Sequence, residues 1–262
     1  MKSLRKAFSV FFFLTLISVV VVTSTLNGWW IPNEPSHDEF PLRGIDVSHH
    51  NGHVNWDQVA AKYNFAFIKA TEGSDWIDKR FSENWKESQK AGVLRGAYHF
   101  FSTTSSGQAQ AKNFIATVPK EPKILPAVID VEFKPEQSRM TKEEFLFEFE
   151  IMRTELREHY GQEPIIYTDP KFYPNYLTKV DLPRVWMRNI VARPAPSLPE
   201  WMFWQYSSRG QVDGISGRTD LNVFRGEQDE LEHLTTSTVR SPAGKPRTRN
   251  LPKPNGGANR PR

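Results

Sequence analysis

Two carboxyl side chains stand two residues apart in the segment Asp130-Val131-Glu132, at the end of a short apolar run. Residues i and i+2 of a strand point to the same face, so both carboxyl groups face one way and Val131 faces the other. Neighbouring acids raise each other's pKa, as does poor solvation, so one can keep its proton near neutral pH while the other ionises. General acid catalysis of glycoside cleavage needs one protonated and one ionised carboxyl group. A hydrated pair of acids, or a pair that binds a metal ion, can have the same spacing.

Further polar and aromatic side chains stand at the ends of other predicted strands. Aromatic rings stack on the C–H faces of sugars, and amide and hydroxyl groups hydrogen-bond to sugar hydroxyls. Each residue alone fits core packing as well, but their recurrence at several strand ends favours a sugar-binding cleft. They are Asp46 on the first strand, Tyr98 and His99 on the third, Tyr167 on the fifth, and Trp204, Gln205 and Tyr206 on the seventh.

A metal site is an alternative, because the adjacent histidines His49 and His50 lie close to Asp46. In a strand, however, adjacent side chains point to opposite faces, and no third ligand is positioned beside them. The sequence also contains no cysteine, which excludes disulfides, thiolate metal centres and a cysteine nucleophile. We therefore predict a site without metal or cofactor.

Alternating strands and helices must position these side chains. Five predicted strand–helix units are followed by three strands, a pattern typical of a parallel sheet with covered faces. Eight strands over about 190 residues predict a compact TIM-like α/β barrel, in which sites lie at the carboxyl-terminal ends of the strands. The predicted strands are Arg43–Val47, Phe65–Ala70, Leu94–Phe101, Leu125–Val131, Pro164–Tyr167, Val185–Ile190, Met202–Tyr206 and Leu221–Phe224.

Capping signals mark the helices of this pattern. A side chain that caps the first turn, followed three residues later by Gln or Glu, predicts where a helix begins, and glycine predicts where it ends. Asn55-x-x-Gln58, Ser105-x-x-Gln108 and Thr141-x-x-Glu144 give the starts, and Gly92 and Gly161 give two of the ends.

The two ends of the chain differ from this body. Residues 1–26 begin with bases and continue with a long apolar run, which predicts either a cleaved export signal or a retained membrane anchor. Residues 27–41 are predicted to be a linker, 42–230 the catalytic barrel, and 235–262 a disordered basic tail rich in Pro and Gly. All 30 acidic residues lie between these basic ends, so the folded body is acidic and nucleic-acid binding is not expected of it.

Five motifs in order resemble the lysozymes of glycoside hydrolase family 25, which are N-acetylmuramidases. The resemblance runs from about Leu42 to Arg225 and covers most of the body. The motifs are Arg43-Gly-Ile-Asp-Val-Ser-His-His-Asn-Gly52, Phe65-Ala-Phe-Ile-Lys-Ala-Thr-Glu-Gly73, Gly96-Ala-Tyr-His-Phe-Phe101, Asp130-Val-Glu132, and Trp204-Gln-Tyr-Ser207 with Gly214-Ile-Ser-Gly217 and Asp220-Leu-Asn222.

The resemblance implies a (β/α)5β3 barrel that hydrolyses the β-1,4 bond between N-acetylmuramic acid and N-acetylglucosamine in peptidoglycan strands. It places Glu132 on the family's proton donor and Asp130 on the carboxylate that orients the substrate's 2-acetamido group. Asp46 and Asp220 fall on the two further acids of the site. The implied cleft residues are Tyr98, Tyr167, Gln205 and Tyr206. A monomer exported to the periplasm or the medium is expected.

Asp220 sets a condition on the fold, because it begins its predicted strand whereas Asp46 and Glu132 end theirs. In a fully parallel barrel Asp220 would lie on the opposite rim. We therefore predict that the eighth strand runs antiparallel, joined to the seventh by a loop over Ser207–Thr219.

Three other functions remain compatible with the sequence. The barrel could bind cell-wall glycans without cleaving them, although binding alone does not require a proton donor. It could instead hydrolyse polymers of N-acetylglucosamine, as a chitinase does. The basic tail could also give the protein a structural role in the envelope.

Overall fold

In the computed structural model, residues 2–133 and 140–235 are described, and they contain nine strands and seven α-helices. The strands are β1 (Arg43–Val47), β2 (Phe65–Glu72), β3 (Trp76–Ile77), β4 (Leu94–Phe100), β5 (Val128–Asp130), β6 (Ile165–Thr168), β7 (Val185–Arg188), β8 (Phe203–Gln211) and β9 (Arg218–Phe224). The helices are α1 (Lys2–Asn27), α2 (Trp56–Ala60), α3 (Phe81–Lys90), α4 (Gly107–Thr117), α5 (Lys142–Tyr160), α6 (Phe172–Tyr176) and α7 (Gln228–His233). Most of the predicted basic tail, from residue 236 on, lies outside the described residues.

Eight of the strands close into a barrel. From β1 through β2, β4, β5, β6 and β7 to β8, each strand pairs in parallel with the next. Strand β9 closes the ring by pairing antiparallel with both β8 and β1, and the short β3 adds to β2 outside it. The predicted (β/α)5β3 barrel with an antiparallel last strand is confirmed.

Large aromatic side chains fill the barrel interior. Phe67 stacks on Trp186 with ring centroids 4.5 Å apart, and Phe65 and Phe203 pack edge-on beside them. Successive strand residues alternate between this interior and the layer under the helices, so a long apolar strand such as β2 is buried on both faces. The filled interior gives the side chains at the strand ends a solid floor.

Local signals explain the helix boundaries. Thr141 and Glu144 form the predicted reciprocal cap at the start of α5, and Gly161 ends the helix in the left-handed region at φ 77°. The predicted start of α4 is wrong by one residue, because Ser106 rather than Ser105 accepts the hydrogen bond from the Ala109 amide.

The predicted loop over Ser207–Thr219 is also shorter in the structure. Strand β8 continues to Gln211 and β9 begins at Arg218, so only residues 212–217 connect them. The polar residues of these strand extensions carry little strand signal in the sequence. Their backbone pairing across the hairpin makes them strands nevertheless.

The segment of residues 28–42 covers the outer surface of β8, and in the described chain no helix stands between β8 and β9 in the element order. Phe40 is buried against Trp201 and Trp204, with centroid distances of 5.8 and 6.2 Å. The Asn33 side chain donates a hydrogen bond to the Tyr206 carbonyl at 3.0 Å. This segment, predicted as a linker, therefore contributes apolar packing to the barrel wall.

Phe40→Ala should lower the free energy of unfolding by about 3–5 kcal/mol, because it leaves a cavity beside two buried tryptophans. Denaturant titration followed by circular dichroism measures the change. Phe147→Ala is the matched control, since the Phe147 side chain on α5 is 66% exposed and its loss should have little effect. Equal stability of the two variants would show that the segment does not support the barrel.

Candidate active site

The barrel mouth, at the carboxyl-terminal ends of the parallel strands, brings Asp46 and Asp220 side by side. They are register partners across the antiparallel β1–β9 pair. Asp220 near the start of β9 therefore lies level with Asp46 near the end of β1, as predicted from the sequence. Burial raises the pKa of Asp220 well above its usual range, and the charge of Asp46 raises it further.

Asp46 is 7% exposed and is held by two amide side chains. Asn222 Nδ2 and Gln205 Nε2 both donate to its Oδ2, at 2.8 and 3.1 Å. Burial raises the pKa of Asp46 to about 6, and these two donors oppose the rise because they favour the charged form.

The orientation of both amides is set by groups behind them. Trp186 Nε1 donates to Asn222 Oδ1 at 2.9 Å, and the Tyr167 hydroxyl donates to Gln205 Oε1 at 2.8 Å. An indole N–H can only donate, so the Asn222 oxygen must face Trp186 and its NH₂ group must turn to Asp46. The aromatic interior of the barrel thus determines how Asp46 is bonded.

Asp130 and Glu132 stand on the adjoining part of the mouth. Asp130 ends β5, is 8% exposed, and its Oδ1 has no hydrogen-bond partner among the described residues. Val131 packs outward into the core under the helices, so the acids on either side of it face the mouth, as the i, i+2 spacing predicts. Burial raises the pKa of Asp130 well above its usual range, followed by the negative charge of Glu132.

Glu132 is half-buried and close enough to the other three acids for its charge to raise their pKa values. The structure therefore gathers all four predicted acids at one mouth. Several carboxyl groups with raised pKa values in a poorly solvated site can hold protons at neutral pH, so this arrangement suits proton donation to a bound ligand.

Three of the four predicted cleft residues lie beside these acids. Tyr98 and Tyr167 both have raised pKa values, caused first by burial and then by neighbouring carboxylates that include Asp46 and Asp130. Gln205 bonds Asp46 directly.

Tyr206 does not lie at the mouth, and its prediction as a cleft residue is wrong. Strand residues alternate, so Gln205 faces inward while Trp204 and Tyr206 face outward. The Tyr206 hydroxyl accepts a hydrogen bond from Arg43 Nη1 at 3.4 Å beneath the 28–42 segment. Trp204 packs against Phe40 in the same layer.

Two histidine predictions also need correction. His99 is fully buried between Thr71 and Gln110, and burial lowers its pKa to about 4, so it supports the wall from behind. His49 and His50 lie in a 3₁₀ turn rather than a strand, with ring centroids 3.9 Å apart. His49 Nδ1 is 2.8 Å from Asp78 Oδ2, and the described residues contain no group of three side chains suited to a metal ion.

The sequence reasoning missed Asn222, Trp186 and Arg188 as residues of this site. Arg188 ends β7, and its positive charge lowers the pKa values of Asp46 and Asp220. The predicted strand Val185–Ile190 placed Arg188 in its interior, whereas the observed strand ends at Arg188, so its position at a strand end was missed.

The sequence profile described as Glycosyl hydrolases family 25 matches residues 45–215. The chain belongs to this family. It is therefore a glycoside hydrolase, and the resemblance drawn from its motifs is confirmed.

The chain is similar to proteins from several bacteria. The chain is 34% identical over 221 residues to Lysozyme M1 of Streptomyces globisporus, covering 77% of this chain and 74% of that protein. It is 37% identical over 211 residues to the uncharacterized protein YegX of Escherichia coli K12, covering 78% and 76%. A family 25 glycosyl hydrolase from Bacillus anthracis superposes with a TM-score of 0.71 at 37% identity, covering 78% of this chain and 97% of that one.

Asn222→Ala should raise the pKa of Asp46 above its value of about 6, because the variant loses a donor that stabilises the carboxylate. A pH titration of the Asp46 carboxyl carbon by NMR measures the shift. Asn175→Ala, which changes an exposed amide on α6, should leave this pKa unchanged. An unchanged or lower pKa in Asn222→Ala would contradict the described role of the Asn222 amide.

Proposed function

We propose that this family 25 glycoside hydrolase is an exported lysozyme that cleaves the β-1,4 bond between N-acetylmuramic acid and N-acetylglucosamine in peptidoglycan. The observation that carries the proposal is the meeting of four acids at one accessible mouth, three of them with pKa values raised by burial. Relatives named lysozyme support the same substrate. One chain supplies all four acids, which fits a monomer.

Glu132 is proposed as the general acid. It is the half-buried member of the Asp130–Glu132 pair, so a glycosidic oxygen can approach it from solvent. Its negative charge raises the pKa values of Asp46, Asp130 and Asp220, so it lies among the other acids of the mouth. After bond cleavage the same carboxylate can activate the water that completes hydrolysis.

Asp130 is proposed to act on the substrate's 2-acetamido group. Its buried Oδ1, without a partner among the described residues, can accept the acetamido N–H. The acetamido carbonyl then attacks the anomeric carbon, and the carboxyl group of Asp130 stabilises the charge on the resulting ring. Substrate-assisted hydrolysis of this kind retains the β configuration at the anomeric carbon.

Asp46 and Asp220 are proposed to stabilise positive charge that develops at the anomeric carbon. Tyr98, Tyr167 and Gln205 are proposed to contact the sugar, because their side chains surround these acids. Tyr206 is left out of this set since its side chain faces away from the mouth.

Wild-type enzyme should release reducing ends from purified peptidoglycan, and Glu132→Gln should lower the turnover by roughly 10²- to 10⁴-fold because it removes the proton donor. Mass spectrometry of the digest identifies which sugar carries the new reducing end. Proton NMR of the first-formed product should show the β anomer. Glu143→Gln, at an exposed position on α5, is the matched control and should keep full activity.

Each contrary result has a defined meaning. Near wild-type turnover in Glu132→Gln would rule out its role as acid, and an initial α anomer would exclude retention. Faster cleavage of chitin oligomers than of peptidoglycan would instead favour a chitinase. Binding of peptidoglycan without any release of reducing ends would favour a non-catalytic barrel.

We further propose that α1 is retained as a membrane anchor. Its segment Phe8–Asn27 is long and apolar enough to cross a bilayer, and none of it is buried in the protein. Bases precede it, and the exposed Trp29 and Trp30 follow it at the position where aromatic residues meet a membrane surface.

The end of α1 also fits closely against the barrel, which supports retention. Gln211 Nε2 donates to the Asn27 carbonyl at 2.8 Å. Gly28 has φ 74°, and a Cβ atom there would lie 1.6 Å from the Arg209 carbonyl oxygen. Because β8 ends at the mouth of the barrel, the helix leaves the protein on the same side as the acids.

If α1 is retained, the C-terminally tagged chain should stay in the membrane fraction of cells after a high-salt wash and should be released by detergent. Intact mass analysis of the released protein should give the full-length mass. Val22→Ala with Ser24→Ala is the matched variant, because it creates an Ala-x-Ala cleavage signal and should yield a soluble product that begins at Thr25. A soluble wild-type product that begins at Thr25 would contradict the proposal that α1 is retained as a membrane anchor.

A further inference from the structure

Arg188 is placed by β7 at the barrel mouth. Trp186, two residues earlier, stacks on Phe67 inside the barrel, whereas Met187 is buried in the outer layer under the helices. By strand alternation the Arg188 side chain faces inward again, one step closer to the mouth. Its register partner is Gln205, whose amide bonds Asp46.

The electrostatic effects of Arg188 locate its guanidinium more closely. Its positive charge lowers the pKa values of Asp46, Asp220 and Tyr167, so it lies among the side chains proposed to hold the sugar. Arg188 is half-buried, and in the described part of the chain it forms neither an ion pair nor a side-chain hydrogen bond. Its five N–H donors are thus available to a ligand at the mouth.

The other cation that acts on these acids is already engaged. Lys69 Nζ is 2.8 Å from Glu72 Oε2 and lies over the rings of Trp76 and Phe100, at 4.9 and 5.2 Å. A negatively charged ligand group that enters a mouth lined by four acids is repelled unless a cation receives it. Among the described residues around the acids, Arg188 is the cation with free donors.

We propose that Arg188 is a specificity-determining residue that binds the carboxylate of the lactyl ether of N-acetylmuramic acid. The inference rests on the proposed muramidase function. The lactyl group is what distinguishes this sugar from N-acetylglucosamine, and its carboxylate matches the planar donor pair of a guanidinium. In peptide-bearing strands this carboxyl is amidated by the stem peptide and carries no charge.

The consequence is a preference for glycan strands without stem peptides. Only there is the lactyl carboxylate free to pair with Arg188. A hydrolysis of the amide bond between the lactyl group and the stem peptide must therefore supply the preferred substrate. This places the enzyme after an amidase-type reaction in the breakdown of the wall.

The test compares kcat/KM on peptide-bearing strands and on the same strands after enzymatic removal of the stem peptides. Wild-type enzyme should prefer the peptide-free strands, and Arg188→Gln should lower kcat/KM on them by about 10- to 100-fold, as expected for loss of a charge-assisted pair. On peptide-bearing strands the loss should be clearly smaller, because there Arg188 acts only through the pKa values of Asp46 and Asp220 and forms no ion pair with the substrate. Arg188→Lys should recover part of the preference because it keeps the charge but loses the paired geometry.

Two controls separate recognition from other effects. Amidating the lactyl carboxyl of peptide-free strands with carbodiimide and ammonia should remove the wild-type preference and reduce the loss in Arg188→Gln to the loss measured on peptide-bearing strands. Arg193→Gln changes an exposed arginine that pairs with Glu39, and it should leave both rates unchanged. Thermal unfolding of each variant verifies that the barrel is folded.

A readout without turnover comes from binding. Calorimetry compares the single variant Glu132→Gln with the double variant that also carries Arg188→Gln. The double variant should bind peptide-free strands more weakly, and its Kd should rise by the same factor by which Arg188→Gln lowers kcat/KM.

Contrary outcomes are distinguishable from failure of the proposed function. Equal losses on both kinds of strand would show that Arg188 acts only through the neighbouring acids, and would overturn the inference while leaving the muramidase intact. A wild-type preference for peptide-bearing strands would overturn it as well. Absence of hydrolysis of every strand by wild type would refute the proposed function and this inference together.

Discussion

The concentration of carboxyl groups in a poorly solvated mouth is the constraint on which the rest of the site depends. Burying ionised groups is unfavourable unless hydrogen bonds or opposite charges compensate, and otherwise the groups retain protons. Asp46 receives two amide donors, whereas Asp130 keeps an oxygen without a partner among the described residues. Neighbouring acids at one mouth thus differ in their environment, and that difference allows one to be charged while another holds a proton.

The aromatic interior connects the stability of the barrel to the state of these acids. Trp186 packs against Phe67 in the middle of the barrel and also donates to Asn222, which in turn donates to Asp46. A change in interior packing would therefore reach the site through two hydrogen bonds. This linkage explains why a bulky indole, and not only an aliphatic side chain, is useful at this position of β7.

The outer wall of the barrel is covered differently at β8 and β9 from the way it is covered at the strands that alternate with helices. Strands β8 and β9 follow one another through a hairpin, and the described chain places no helix between them. The 28–42 segment buries Phe40 against the outward-facing tryptophans of this wall. The same outward layer contains Tyr206, which is why a tyrosine adjacent in sequence to a groove residue belongs to the wall and not to the groove.

The sequence by itself determined the barrel, its five strand–helix units, and the placement of Asp46, Asp130 and Glu132, because strand periodicity and helix caps are local properties of the chain. It also indicated that Asp220 joins them only if the last strand is reversed. Tertiary structure decided what depends on neighbours distant in sequence: the bonding of Asp46 by Asn222, the bond between Tyr206 and Arg43, and the closeness of the Arg188 charge to Asp46. Local patterns specify which way a side chain alternates, but its partners and its solvation exist only once the ring of strands has closed.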